Sequence, residues 1–133
     1  MFDVFEKFAT DETKEECGTK VSLGKGVSLT IARASNSKFL AMLQEEADRV
    51  AEQSIALNAT EAEDLDKNTM LGVLATTILL DWEGVAYKGK VLKYSKENAV
   101  KLLRHKDFRK LVMDHANDFE LYRAKLEDAD EKN

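Results

Sequence analysis

No proline interrupts this chain of 133 residues. Average usage of about 5% would have supplied roughly six or seven, each removing a backbone donor and breaking any helix interior it entered. Helices in this sequence can therefore run until a glycine or a capping side chain stops them. With 44% apolar and 34% charged residues, the chain reads as one soluble globular domain with a charged, helix-rich surface. It is long enough to bury one core without disulfides or metals.

Four stretches carry the helical period. After Ser35-Asn36-Ser37, a capping cluster, Leu40, Leu43, Ala47, Val50, Ala51, Ser54 and Leu57 fall on one face. Gln44, Glu45, Asp48, Arg49 and Glu52 fall on the other, the pattern of an amphipathic helix covering a core. Thr60-Glu61-Ala62-Glu63 reads as a capping box opening a second helix. That helix becomes apolar all round from Met70 to Leu80, as a central buried element does. The β-branched Val73, Thr76, Thr77 and Ile78 also suit a strand, but the uninterrupted run from Thr60 favours helix. Further on, Ser95 caps a third helix with Ala99, Leu102 and Leu103 inside. Asp107 is placed to cap a fourth, where Phe108, Leu111, Val112, His115, Phe119, Tyr122 and Leu126 trace a helical stripe.

Two segments break this period. Val21 and Leu23, then Val27, Leu29 and Ile31, alternate with polar residues around Gly24-Lys25-Gly26, a β-hairpin signal. Gly84 and Gly89 punctuate a connection near Trp82, Tyr87 and Tyr94, where Val91-Leu92 reads as a short strand or a fold-back loop. The expected fold is mainly α: about four helices with a small N-terminal β-hairpin. The expected organisation is an acidic arm over 1–18, a helical domain over 19–126, and an acidic tail over 127–133. The arm holds six Asp/Glu against two Lys. Phe2, Phe5 and Phe8 recur in it every three residues, spaced for a helical turn or two that is too short to be stable alone. Such an arm docks on its own domain, docks on a neighbouring subunit, or stays mobile.

Charge and composition exclude several function classes. A formal net charge of −5 disfavours general affinity for nucleic-acid phosphates or anionic lipid. Met1-Phe2-Asp3-Val4-Phe5-Glu6 lacks the apolar core of a secretory leader. The uncharged stretch over 68–80 is too short to cross a bilayer. The single Cys17 cannot close an internal disulfide, and the expectation is a protein of the reducing cytoplasm.

Candidate chemistry is sparse. Gly18 and Gly24-Lys25 suggest a phosphate-binding loop, but five residues separate the glycines rather than four. Gly26 also stands where Ser or Thr would reach Mg²⁺. Asp64, Asp66 and Asn68 alternate as in a calcium loop, yet Thr69 and Ala75 occupy the positions of its glycine and bidentate glutamate. The same acids suit the first turns of a helix. His115, flanked by Asp114 and Asp118, lies on an apolar stripe and has no partner nucleophile. His105 belongs to a basic cluster with Lys101, Arg104 and Lys106, which complements a helix C-terminus and could meet an acidic partner. Asn58-Ala59-Thr60 fits a glycosylation acceptor but reads more simply as a helix boundary. The carboxylate pairs Glu15/Glu16 and Glu45/Glu46 lie on solvated faces. No catalytic residue, metal-ligand set or cofactor motif is expected.

A resemblance adds to this reading. Leu79-Leu80-Asp81-Trp82-Glu83-Gly84-Val85 is followed ten residues later by Tyr94-Ser95-Lys96-Glu97-Asn98-Ala99 and Leu102-Leu103. Lys7-Phe8-Ala9-Thr10-Asp11 precedes a hairpin ending Leu29-Thr30-Ile31-Ala32-Arg33, and Ala116-Asn117-Asp118-Phe119-Glu120 precedes an acidic end. In order and spacing these pieces, spread over about residues 7 to 125, resemble the tail assembly chaperones of long-tailed, siphovirus-type bacteriophages.

The resemblance implies a non-enzymatic helper of virion morphogenesis in the cytoplasm of the bacterial host. It implies binding to the long tape measure protein, recruitment of the tail tube protein, and absence from the mature virion. It also implies self-association, with an open helical or spiral homo-oligomer suited to coating an extended partner. Many such proteins have a longer frameshifted form. Glu131-Lys132-Asn133 can be encoded by GAA-AAA-AAC, which contains a slippery heptamer, and the gene's DNA sequence would decide this. The candidate self-association residues are Phe2, Val4, Phe5 and Phe8. A head-to-tail contact through them would be heterologous and open. Trp82 and Tyr94 are candidates for a partner-binding groove, against the alternative that they anchor the connection on the last helix. From another class stands a small bacterial adaptor or regulatory module that binds a helix. An enzyme with an unrecognised site is the third.

Overall fold

The computed structural model describes residues 1–125. Two short helices open the chain, α1 (Val4–Phe8) and α2 (Glu12–Cys17). Asp3 and Asp11 cap them, their side chains accepting from Glu6 N–H and from Thr13 and Lys14 N–H. The expected hairpin follows as β1 (Thr19–Gly24) and β2 (Val27–Ile31). Its turn requires positive φ at Gly24, Lys25 and Gly26 (89°, 50° and 77°), so glycine is needed as turn backbone.

The helix read from Asn36 onward is α3 (Ser37–Ser54), capped by Asn36. The next, α4 (Ala59–Thr77), opens on a capping box formed by Asn58 and Glu61 rather than by Thr60 and Glu63. Helix α4 stops at Thr77, and the chain turns into a third strand, β3 (Leu79–Glu83), which pairs antiparallel with β2. The sheet order β1-β2-β3 places β2 at the centre. A second antiparallel pair, β4 (Ala86–Tyr87) and β5 (Lys90–Val91), follows directly. Then come α5 (Lys96–Leu103), capped by Ser95, and α6 (Lys106–Ala116).

The fold is therefore a mixed α/β architecture with two antiparallel sheets, which corrects the expectation of a mainly α fold with one hairpin. The cause lies at residues 78–83. The apolar run from Met70 satisfies a buried helix and a buried strand equally by hydrophobicity. Its β-branched end pairs with β2, in the register Leu29↔Trp82 and Ile31↔Leu79. Gly84 then passes so close to the β1–β2 turn that a Cβ there would lie 2.6 Å from the Gly26 carbonyl oxygen.

The fourth helix is also shorter than its stripe. Asn117 ends α6, and the Asp118 side chain accepts from Glu120 N–H to start a 3-10 turn, Phe119–Tyr122. His105, not Asp107, occupies the N-cap position, without a side-chain cap bond. Leu126 and the acidic stretch 127–133 lie outside the described residues.

One core joins these pieces. Leu29 and Ile31 of β2, Leu79 and Trp82 of β3, Leu71, Leu74 and Ile78 from the α4 end, Leu102 and Leu103 of α5, and Val112 of α6 pack together. Asn36 ties the start of α3 to the end of α4. Its Nδ2 donates to the Arg33 and Thr77 carbonyls at 2.8 and 3.1 Å, while Oδ1 accepts from Phe39 N–H at 2.9 Å. Both donors of this buried amide are thus used, and its oxygen accepts one bond. Between Ser37 and Met70 no residue is buried. The α3–α4 hairpin, in which α3 rises about 27 Å, therefore extends beyond the core.

Candidate functional site

The N-terminal arm is held by its C-terminal end. Asp11 N–H donates to the Tyr122 carbonyl at 2.9 Å, Ala124 N–H donates to the Ala9 carbonyl at 3.0 Å, and Thr10 forms an isolated bridge with Arg123. Aromatic contacts extend this seat. Phe8 lies 5.9 Å from the Phe119 ring and Phe2 lies 5.9 Å from Phe8, centroid to centroid and tilted. The Arg33 and Arg123 guanidinium groups lie over the Phe119 ring at 5.9 and 5.4 Å. A helix of five residues cannot persist alone, and these contacts supply its support.

The seat covers only one side of the arm. Phe2, Val4, Phe5 and Phe8 stay 68%, 62%, 58% and 54% exposed. The four self-association candidates thus lie on α1 and its approach, each more than half exposed, with Phe8 against the Phe119 ring of the body. Burying such surface is favourable by about 25 cal/mol per Å², and contiguous exposed apolar patches mark interaction sites. Asp3 and Glu6 flank the patch.

Trp82 and Tyr94 lie elsewhere and face inward. Trp82 is 5% exposed, and its indole N–H donates to the Leu92 carbonyl at 2.7 Å. The Tyr94 ring meets Trp82 nearly edge-on, at 78° and 4.9 Å. The Tyr94 hydroxyl donates to the Leu79 carbonyl at 2.8 Å, with the Ala75 carbonyl 3.2 Å away. Burial, with the Asp81 carboxylate adding to it, raises this hydroxyl above its ordinary pKa. The two rings clamp the chain after β5 onto β3 and the end of α4.

Among the described residues, two of the clefts open to solvent are sizeable. One of about 320 Å³ lies between α3, α4 and the start of α5, lined by Met42, Glu46, Arg49, Asn68 and Lys96 among others. Within it Arg49 pairs with Glu46 at 2.6 Å, and Asn68 accepts at 2.9 Å from Arg104 outside the lining. The other, about 290 Å³, is bordered by Glu12, Glu15, Glu16 and residues 35–37. Arg33 pairs with Glu15 there at 2.6 Å, and the Ser37 hydroxyl donates to Glu16. Among the described residues no group of three or more His, Cys, Asp or Glu is placed to hold a metal ion. Asp64, Asp66 and Asn68 all lie within α4, and Cys17 is exposed at the end of α2. No described helix is long and apolar enough to cross a membrane.

Sequence reasoning gave the β4–β5 hairpin no role, yet it carries a distinct surface. The Tyr87 hydroxyl lies 3.0 Å from His105 Nε2, and the Lys101 and Lys88 ammonium groups stand 4.7 and 5.6 Å from the Tyr87 ring centre. The available signal was the density of lysine around Gly89.

A phage-derived protein is the class that comparison with known families defines. The family model described as YdaY prophage protein matches residues 34–133. The chain belongs to that family. No curated protein matches it, and no solved structure does.

Proposed function

We propose that this phage-associated protein is a tail assembly chaperone. In this reading it binds the tape measure protein, promotes assembly of the tail tube protein around it, and is non-enzymatic. It works in the cytoplasm of the bacterial host and is absent from the mature virion. Membership of a prophage family supports the phage context, and the ordered sequence pieces around Asp81-Trp82-Glu83-Gly84 support the tail-assembly role.

The observation that carries the reading is the aromatic arm, tethered at Thr10–Arg123 and exposed along Phe2, Val4, Phe5 and Phe8. A helper that coats a long amphipathic partner needs apolar surface on a soluble body. It must also associate with copies of itself without precipitating, which the net charge of −5 assists. Head-to-tail arm-to-body contacts between copies are heterologous and, where the rotation does not close a ring, propagate as an open helical or spiral oligomer.

The test is affinity purification of the tagged protein from induced lysogens, with mass spectrometry of the eluate and of purified particles. The reading expects tape measure and tail tube proteins in the eluate and no copy of this chain in the particles. A stable place in the finished virion would contradict it.

A further inference from the structure

The charge of this acidic chain is strongly partitioned. Residues 86–106 hold seven Lys/Arg and a single acid, Glu97, for a net +6; against the whole-chain −5 the remainder carries −11. The fold gathers part of this excess around one ring. Tyr87 and Lys90 are direct cross-strand partners and so share a face of the hairpin. Lys101 and Lys88 approach the same ring, and His105 is bonded to the Tyr87 hydroxyl.

Among the described residues none of these lysines has a carboxylate within ion-pair distance. The five ion pairs that form use Lys20, Arg33, Arg49, Lys110 and Arg123 instead. Concentrating like charges without counter-charges costs free energy, because each ammonium repels its neighbours. An incoming anion removes that cost. The hairpin also fixes the cluster's shape, since Lys88 and Gly89 take φ of 52° and 82°, the paired positive values of a tight two-residue turn.

We propose that this Tyr87-centred basic face is a docking site for a carboxylate-rich protein segment, independent of the chaperone reading. A protein segment suits it better than a nucleic acid does. Nucleic-acid binding rests on a track of cations along a polyanion, whereas here the cations crowd one ring, and Asp81, Glu83 and Asp107 flank the segment that carries them in the chain.

The experiment measures fluorescence anisotropy of a labelled dodecamer of glutamate and of labelled oligo-dT of equal length, at about 50 mM salt, where screening is moderate. It compares the full chain with Lys88→Glu/Lys101→Glu and with Lys38→Glu/Lys67→Glu, which changes net charge equally on exposed positions elsewhere. The proposal expects saturable binding of oligoglutamate and tighter binding of it than of oligo-dT. It expects affinity to fall by about tenfold or more in the hairpin variant and to stay within about twofold of wild type in the control. Circular dichroism verifies that each variant is folded. Equal losses in the two variants, preference for oligo-dT, or no binding of oligoglutamate would each overturn it. Should Lys88→Glu/Lys101→Glu unfold, acetylation of the exposed lysines with Lys88 and Lys101 protected by bound oligoglutamate gives the same decision. Selective protection supports the site, and uniform modification overturns it.

Discussion

Tyr122 and Ile31, 91 positions apart, are joined by a buried hydrogen bond in which the Tyr122 hydroxyl donates to the Ile31 carbonyl at 2.9 Å. Tyr122 closes the 3-10 turn and Ile31 ends the central strand, so this bond fastens the chain's last described turn to the sheet. The same turn holds the arm, through the Tyr122 carbonyl and the Phe119 ring. Tyr122 is thereby one of the residues that link the core to the exposed arm.

Replacing Tyr122 by Phe removes the donor and leaves a buried carbonyl without this partner, so it should cost roughly 1–3 kcal/mol of stability. Urea denaturation measures the loss.

The same residue makes a pH signature. Burial, opposed by Arg33 and reinforced by Asp118, pushes the Tyr122 hydroxyl up to about 12 from an ordinary 10.0. Its contribution is fully present below pH 10 and declines as pH rises toward 12, because the unfolded chain releases the proton first. Stability of the wild type should therefore fall more steeply between pH 10 and 12 than that of Tyr122→Phe. Tyr94, also raised, contributes in the same sense in both proteins, so comparing their midpoints isolates Tyr122.

Gly84 and Gly89 both have positive φ, at 73° and 82°, but only Gly84 faces backbone, with Gly26 O 2.6 Å from where a Cβ would stand. Gly89→Ala should cost about 1 kcal/mol from the left-handed backbone alone. Gly84→Ala should cost about 2 kcal/mol or more, because strand β3 must also move off the hairpin. Paired thermal melts distinguish them.

Much of the architecture was legible because capping and period are local properties. Asn36 and Ser95 cap α3 and α5 as their sequence context suggests, and Gly24-Lys25-Gly26 turns the hairpin. Strand β3 was not legible. What distinguishes it from a helix end is its pairing with Leu29 and Ile31, some fifty residues away, and no local pattern carries that information. The end of α6 escaped for a related reason. Phe119 and Tyr122 continue the helical spacing, yet they form a 3-10 turn from which the Tyr122 hydroxyl donates to the Ile31 carbonyl. For the candidate residues, the aromatic repeat of the arm was visible, but its seat on Phe119 and Arg123 depends on the opposite end of the chain.

Trp82→Phe should destabilise the fold by roughly 1–3 kcal/mol, since the Leu92 carbonyl loses its donor. It should leave self-association unchanged per folded molecule. Phe2→Ser/Phe5→Ser should do the reverse, lowering the weight-average sedimentation coefficient while the melting temperature shifts by less than about 2 °C. Deleting residues 1–8 should reduce oligomer size in the same way with helicity retained, and an unchanged sedimentation profile would remove the arm from any role between copies.

The central claim is tested most directly by co-expressing the tape measure protein with this chain and measuring the fraction of the former in the soluble lysate. The account expects that fraction to rise several-fold with the wild-type chain, the two proteins to co-purify, and Phe2→Ser/Phe5→Ser to reduce both. A tape measure protein no more soluble with the wild-type chain present, and absent from its purified fractions, would contradict it.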